Sequence, residues 1–346
     1  MTRRSLTALV LSGVLAGVTA CAAPQAAPPT TGNTVTITNC GAPAQFPSPA
    51  RRMFVNDGNM ISLALALGAA DQVAAISSLE ADAPMLRRHY GDALDRLHIA
   101  APRQPARETV LARHPDVMLA GWSYGYAEAT GLTPDTLRAA GIAPYILTES
   151  CRQRAGEKAR GTVEPWTAVR EDLTNVGAIT GRQARAAELV ADIDRRRDAL
   201  AKAPAPPRPI TVFLFDSATD TVFTSGRFGG PEAIITAAGA RNAAGDVSDT
   251  WTRVSWERVV ASKPDAFAFV DYPSQTFADK VALLRARPGV AELPAVAQGR
   301  FLNLPYSMWT SGPLNIDAAE TLRQSLEGWG LAPPSGIRPP IDDRLD

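Results

Sequence analysis

Gly181–Ala203 reads GRQARAAELVADIDRRRDALAKA. Its apolar residues Ala186, Leu189, Val190, Ile193 and Leu200 recur at helical spacing among charges, which predicts one amphipathic helix of roughly 30 Å. Pro204, Pro206, Pro207 and Pro209 end it, because proline has no amide hydrogen to continue the ladder. The same phrase stands on either side: Glu108–Asp116 is ETVLARHPD and Glu257–Asp265 is ERVVASKPD, both built on E-x-V-x-A-x-x-P-D. Two related halves flanking one helix is the organisation these stretches predict.

The chain has 346 residues and 45% hydrophobic composition, enough for two domains with cores of their own. Basic and acidic residues number 35 each, so there is no global field to attract a nucleic acid or an anionic membrane surface. Arg3 and Arg4, an apolar run from Leu6 to Val18, and small residues before Cys21 make the pattern of a signal peptide over 1–20, too short to span a bilayer. The small residues ahead of Cys21 match a bacterial lipobox, which predicts lipid on that cysteine. Residues 21–33, rich in Pro, Ala and Thr, read as a flexible tether. The other two cysteines, Cys40 and Cys151, belong to an exported chain, and a disulfide between them is the leading reading. Two free buried thiols are the alternative.

Within residues 34–180, strands are predicted at Val35–Thr38, Met53–Val55, Gln72–Ile76, Val117–Ala120 and Tyr145–Thr148, with helices ending at Gly68 and Gly141. Trp122, Tyr124 and Tyr126 follow the fourth of these strands, where ligands of open α/β sheets bind, and are candidate pocket walls. Within 204–330, strands are expected at Ile210–Phe215, Thr221–Phe223, Ala266–Val270 and Phe301–Leu304, and a helix at Asp317–Glu327. Gly226–Gly230 precede Pro231 at a helix start, and Arg227 beside those free amides suits an anionic ligand. Trp251, Tyr272 and Trp309 are the aromatic candidates of this half. Residues 331–346 read as a disordered tail.

No G-x-S-x-G elbow, H-E-x-x-H pair or phosphate-binding G-x-x-x-x-G-K-[ST] loop occurs. His89, His98 and His114 all lie in the first half, which does not make a two-sided metal site. An envelope enzyme such as a lipid-anchored hydrolase, and a purely structural lipoprotein, are the competing classes.

The lipobox, the paired glutamate motifs with WER at Trp256–Arg258, and DLTNVGAITG at Asp172–Gly181 leading into the long helix together resemble the solute-binding lipoproteins of ABC importers for iron-siderophores and cobalamin. The resemblance implies two doubly wound α/β lobes joined by the single helix 181–203, with a ligand cleft between lobes. It implies no catalysis and no resident cofactor, the bound solute being a ferric siderophore or, second, a corrinoid. It further implies a monomer on the outer face of the cell membrane that meets a permease and its ATPase. The glutamates opening the two motifs, Glu108 and Glu257, would pair with permease arginines. Relatives often carry an arginine within the stretch matching Gly312–Asn315, where this chain has Leu314, leaving Arg227, Arg52 or Arg107 as substitutes.

Overall fold

The computed structural model describes residues 33–346 except Glu80 and Ser274. The stretch 1–20 read as a signal peptide, Cys21 expected to carry lipid, and the expected tether except Asn33 lie outside the described residues.

The apolar runs of the first half are short and flanked by Gly, Pro and Asp, so they form buried parallel strands rather than alternating ones. Met53–Asn56 lies between Val73–Ser77 and Val117–Trp122; Ile99–Ala101 and Ala143–Ile146 are added at the two sides, all parallel. The chain thus winds outward one way from Met53–Asn56 and then reverses at Val117–Trp122. In the second half Thr211–Phe215 lies between Arg241–Asn242 and Ala266–Asp271, with Phe301–Pro305 beyond, again parallel. This sheet reverses between Thr211–Phe215 and Ala266–Asp271. Both lobes are doubly wound, and each has one switch point where the strand order turns back.

The repeated phrase marks the strand across each switch point. The first copy runs through the short helix Arg107–Leu111 and the second through Trp256–Ser262. Both then pass through a left-handed residue, His114 (φ 46°) or Lys263 (φ 43°), into Pro-Asp. Asp116 accepts from the backbone amides of Arg51 (2.6 Å) and Arg52 (3.1 Å), and Asp265 from the amide of Thr211 (2.8 Å). In each lobe the aspartate therefore clips the start of the neighbouring strand to its own.

The helix expected over 181–203 is present as Gln183–Ala201, and a second helix, Pro165–Thr180, lies antiparallel beside it. Gly181 in the left-handed region (φ 71°) makes the reversal. At Gly177 a Cβ would stand 2.6 Å from that of Ala186, so glycine sets how closely the two helices approach. Both helices touch both lobes. Ile179 accepts from the Ala50 amide (2.8 Å) and Arg185 donates to the Ala66 carbonyl (3.1 Å) on the first lobe. Trp166 donates to the Ala233 carbonyl (3.2 Å), and Arg196 pairs with Asp317 (3.0 Å) and Glu320 (2.6 Å), on the second. Cys40 and Cys151 are joined, tying the amino-terminal hairpin Thr34–Asn39/Ala42–Pro47 to the far edge of the first sheet.

The tail 331–346 is not loose. Glu327 holds Ser335 and Arg338, and the Leu345 amide donates to the Asn303 carbonyl (3.1 Å) on the open edge of the second sheet. Asp343, fully buried, pairs with Arg88 (2.5 Å) and His89 (2.6 Å) of the first-lobe helix Ala83–Tyr90. Proline and glycine suggested a solvated end; three polar anchors, spread over both lobes, fix it instead.

Candidate functional site

Both switch points open on one cleft. From the first lobe, Asp57 and Tyr124 follow the two strands at the reversal; from the second, Asp216 and Tyr272 do the same. Tyr124, Phe223, Trp251, Tyr272 and Tyr306 give aromatic walls to a cavity of about 160 Å³, completed by Ser123, Arg160 and Asp216. A cavity of about 750 Å³ lies between the tail and the helix Asn315–Gly328. It sits at the amino end of Phe301–Pro305, away from the strand carboxyl ends, and the smaller cavity is the one built by loops of both lobes, as ligand sites of α/β folds are.

The loop Gly121–Tyr126 decides where its aromatics point. Gly121 and Tyr124 exchange backbone hydrogen bonds (3.0 and 2.9 Å), and Asn56 Nδ2 donates to the Tyr124 carbonyl (2.8 Å). Gly125 takes φ 112°, and a Cβ there would press against Asn56. This tight turn aims Tyr124 at the cleft. Tyr126 returns to the core, fully buried, with its hydroxyl donating to the carbonyls of Met118 (3.0 Å) and Tyr145 (3.1 Å).

Of the seven cleft residues expected from sequence, the structure brings together Tyr124, Trp251 and Tyr272. Tyr272 is 43% exposed and packs on Tyr306 at 4.8 Å between centroids. Trp122 does not line the cavity; it is half-buried, edge-on to Tyr126 at 6.1 Å between centroids, with Arg152 stacked 3.6 Å from its ring centroid. Trp309 is 0% exposed and donates to the Phe269 carbonyl (3.0 Å), so it holds the second lobe together and does not reach the cavity. Arg227 is exposed beside Phe228 and does not line the cavity. The substitute arginines fare likewise: Arg52 is spent on the carbonyls of Arg113 (2.7 Å) and His114 (3.1 Å) at the amino ends of the strands, and Arg107 starts the helix bearing Glu108. The cleft arginine is Arg160, which no motif pointed out. Its only sequence signal was its place in the polar stretch between Cys151 and Pro165, where the strand pattern lapses. Tyr306 and Phe223 were missed for a similar reason, being single aromatics at the edge of predicted strands.

Where the lobes meet, buried first-lobe carboxylates hold second-lobe backbone and the Tyr306 hydroxyl. Asp82 accepts from the Ser307 amide (3.1 Å), Glu149 from the amides of Ser311 (2.9 Å) and Gly230 (3.3 Å), and Asp57 from the Tyr306 hydroxyl (3.2 Å). The helix start at Gly230, suited by its sequence to an anion, thus meets the carboxylate of Glu149. Burial pushes Asp57 and Glu149 up to about 7 and Asp82 up to about 6; neighbouring Asp82 raises Asp57 further, while the Ser311 amide and the Arg160 charge hold Glu149 down. Burial also raises Asp216, against the pull of Lys280 and Arg253.

Glu108 and Glu257 are both exposed, each in the first turn of its helix.

Among proteins of known structure, the fold is similar to a periplasmic binding protein from Veillonella parvula, 23% identical with a TM-score of 0.70, over 86% of this chain and 99% of that one. It is similar to a protein of an ABC-type Fe3+-hydroxamate transport system from Saccharomonospora viridis, 24% identical with a TM-score of 0.68, over 84% and 98%. A periplasmic heme-binding protein from Pseudomonas aeruginosa matches at 22% identity and a TM-score of 0.58, over 86% and 95%. No curated protein sequence matches the chain. The family described as periplasmic binding protein matches residues 57–307. With two doubly wound lobes and a cleft at their paired switch points, this chain belongs to the periplasmic binding protein family.

Proposed function

We propose that this protein is the extracytoplasmic, lipid-anchored receptor of an ABC importer, and that its cleft captures a large metal chelate, a ferric siderophore before a corrinoid. The observation that carries this reading is the convergence of five aromatic rings from both lobes on one cleft. Rings from opposite sides sandwich a broad, partly apolar solute, and their polar tips orient it. The Fe3+-hydroxamate system named for one similar structure supports the solute class, and the lipobox at Cys21 supports the anchor. Glu108 and Glu257 are the permease contacts in this scheme. Bidentate pairing with arginines would set the register of both lobes on one partner.

Trp251 lines the cleft, so occupancy is readable as quenching of its emission. Titration with a panel of ferric siderophores and a corrinoid should give saturable quenching by a siderophore at micromolar concentration or below. Quenching by the corrinoid alone would reverse the order of the two solutes, and a flat response to the whole panel would sink the chelate reading.

A further inference from the structure

Among the described residues Arg160 is a buried cation without a counter-ion. Its residue exposure is 9%, yet its one side-chain hydrogen bond among the described residues goes to the neutral Trp122 carbonyl (2.9 Å). The guanidinium also lies 5.6 Å from the Tyr124 ring centroid. Arginines on the same loop are satisfied: Arg152 pairs with Glu128 (2.6 Å) and Arg154 with Glu157 (3.0 Å). The carboxyl group whose field Arg160 feels is that of Glu149, but both oxygens of Glu149 are engaged by second-lobe amides, and burial pushes it toward the neutral form. The guanidinium nitrogens that make no protein hydrogen bond among the described residues face the cavity, where an anionic group gains a charge-assisted contact by replacing the water beside them.

The placement of Arg160 is fixed by the chain around it. The Gly161 amide donates to the Cys151 carbonyl (2.8 Å) next to the disulfide, and the Arg160 amide donates to Asp249 (3.1 Å) of the second lobe. Gln153 bridges the carbonyls of Arg160 (3.1 Å) and Ser248 (2.8 Å). The loop crosses the mouth between the lobes and holds the guanidinium against the cavity. Two further donors stand there: the Tyr124 hydroxyl and the indole nitrogen of Trp251 are buried next to each other and to Glu149, and neither makes a hydrogen bond of ordinary geometry among the described residues. The indole can only donate, as can the free part of the guanidinium fork, and the phenol can do so as well.

We infer that Arg160, with the Tyr124 hydroxyl and the Trp251 indole, forms a subsite for an anionic oxygen group of the solute, so that the cleft selects ligands carrying a carboxylate or comparable anion at the end that enters it. This rests on the chelate reading for the solute's size, but its chemistry is separate. A planar fork beside two neutral donors matches the in-plane lone pairs of a carboxylate, whereas an ammonium group set against Arg160 would meet like charge; burial raises the pKa of the acid Asp216, which also lines the cavity, and so weakens its repulsion of an anion.

The test is calorimetric titration of the full-length protein with two ferric trihydroxamates that differ in one pendant group, carboxylate or ammonium, and with the iron-free carboxylate ligand. Wild type should bind the carboxylate chelate at least tenfold more tightly than the ammonium chelate. Arg160→Gln should bring the two within about twofold, and Arg160→Lys should keep part of the preference, with melting curves reporting that each variant is folded. If Arg160→Gln does not fold, the wild-type preference and its reduction in Arg160→Lys still decide the matter. Equal affinities in wild type, or a preference that survives Arg160→Gln, would overturn the inference. Should neither chelate bind while the iron-free carboxylate does so in an Arg160-dependent way, the subsite stands and the chelate reading falls.

Discussion

Single side chains carry the proton chemistry of this cleft. Asp57, Asp82 and Glu149 are ordinary acids by sequence, and each is desolvated where the first lobe meets second-lobe backbone and side chains. Their folded values of about 7, 6 and 7 lie above the ordinary values of 3.8, 3.8 and 4.5, so the folded state binds protons that the unfolded chain releases. The stability they contribute is fully present below their ordinary values and is lost as pH rises through 6 to 7. The exposed acids Asp95 and Asp279, held down by Arg87 and Thr276, act in the opposite sense only as pH falls through the ordinary carboxylate range. The melting temperature should therefore fall between pH 5.5 and pH 8, and the double variant Asp57→Asn, Glu149→Gln should flatten that slope. A wild-type curve rising across this interval would show that these carboxyls are not desolvated as described.

At the level of elements, the tail and the helix pair hold the lobes in a fixed relation. Gln183–Ala201 and Pro165–Thr180 each grip both lobes, and the tail adds a third tie through Asp343. Asp343→Ala leaves Arg88 free to rehydrate but removes two charge-assisted contacts from His89 and Arg88, a loss of about 2 kcal/mol. Chemical denaturation should read that loss as a lower midpoint with an unchanged slope. Unchanged stability would mean that the tail rests on the lobe without holding it. The repeated phrase has an element-scale meaning of its own: Asp116 and Asp265 lock the strand pair at each reversal, which fixes the mouths from which Tyr124 and Tyr272 project.

For the whole molecule, two lobes with matched switch points also present two matched surfaces. Glu108 and Glu257 are exposed at equivalent places in the two copies and line no part of the cavity. The double charge reversal Glu108→Arg, Glu257→Arg should leave solute affinity within about twofold and the melting temperature unchanged. Uptake by cells, and solute-stimulated ATP hydrolysis by the reconstituted importer, should be abolished, because like charges facing across a contact repel. Normal transport by this variant would reduce the repeat to its strand-clipping role. Loss of solute binding would move the glutamates into the cleft.

The sequence by itself determined the local choices. Apolar runs bounded by Gly, Pro and Asp set the strands within a residue or two; helical spacing set Gln183–Ala201; the doubled phrase set the pairing of two like lobes; and two exported cysteines set the disulfide reading, which the structure bears out. These are consequences of periodicity and backbone chemistry, which act over a few neighbouring residues. Tertiary structure decided which side chains face the cleft. Tyr124 and Tyr126 are two positions apart, yet one lines the cavity and the other fills the core, because the turn between them is set by Asn56 from another strand. Arg160 became the cleft cation only when the disulfide loop was laid against Asp249 and Ser248 of the other lobe. Trp309 is held out of the cleft because the carbonyl it binds belongs to a distant strand. A side chain's exposure is a sum over contacts brought in from the whole chain, and no window of sequence contains those contacts.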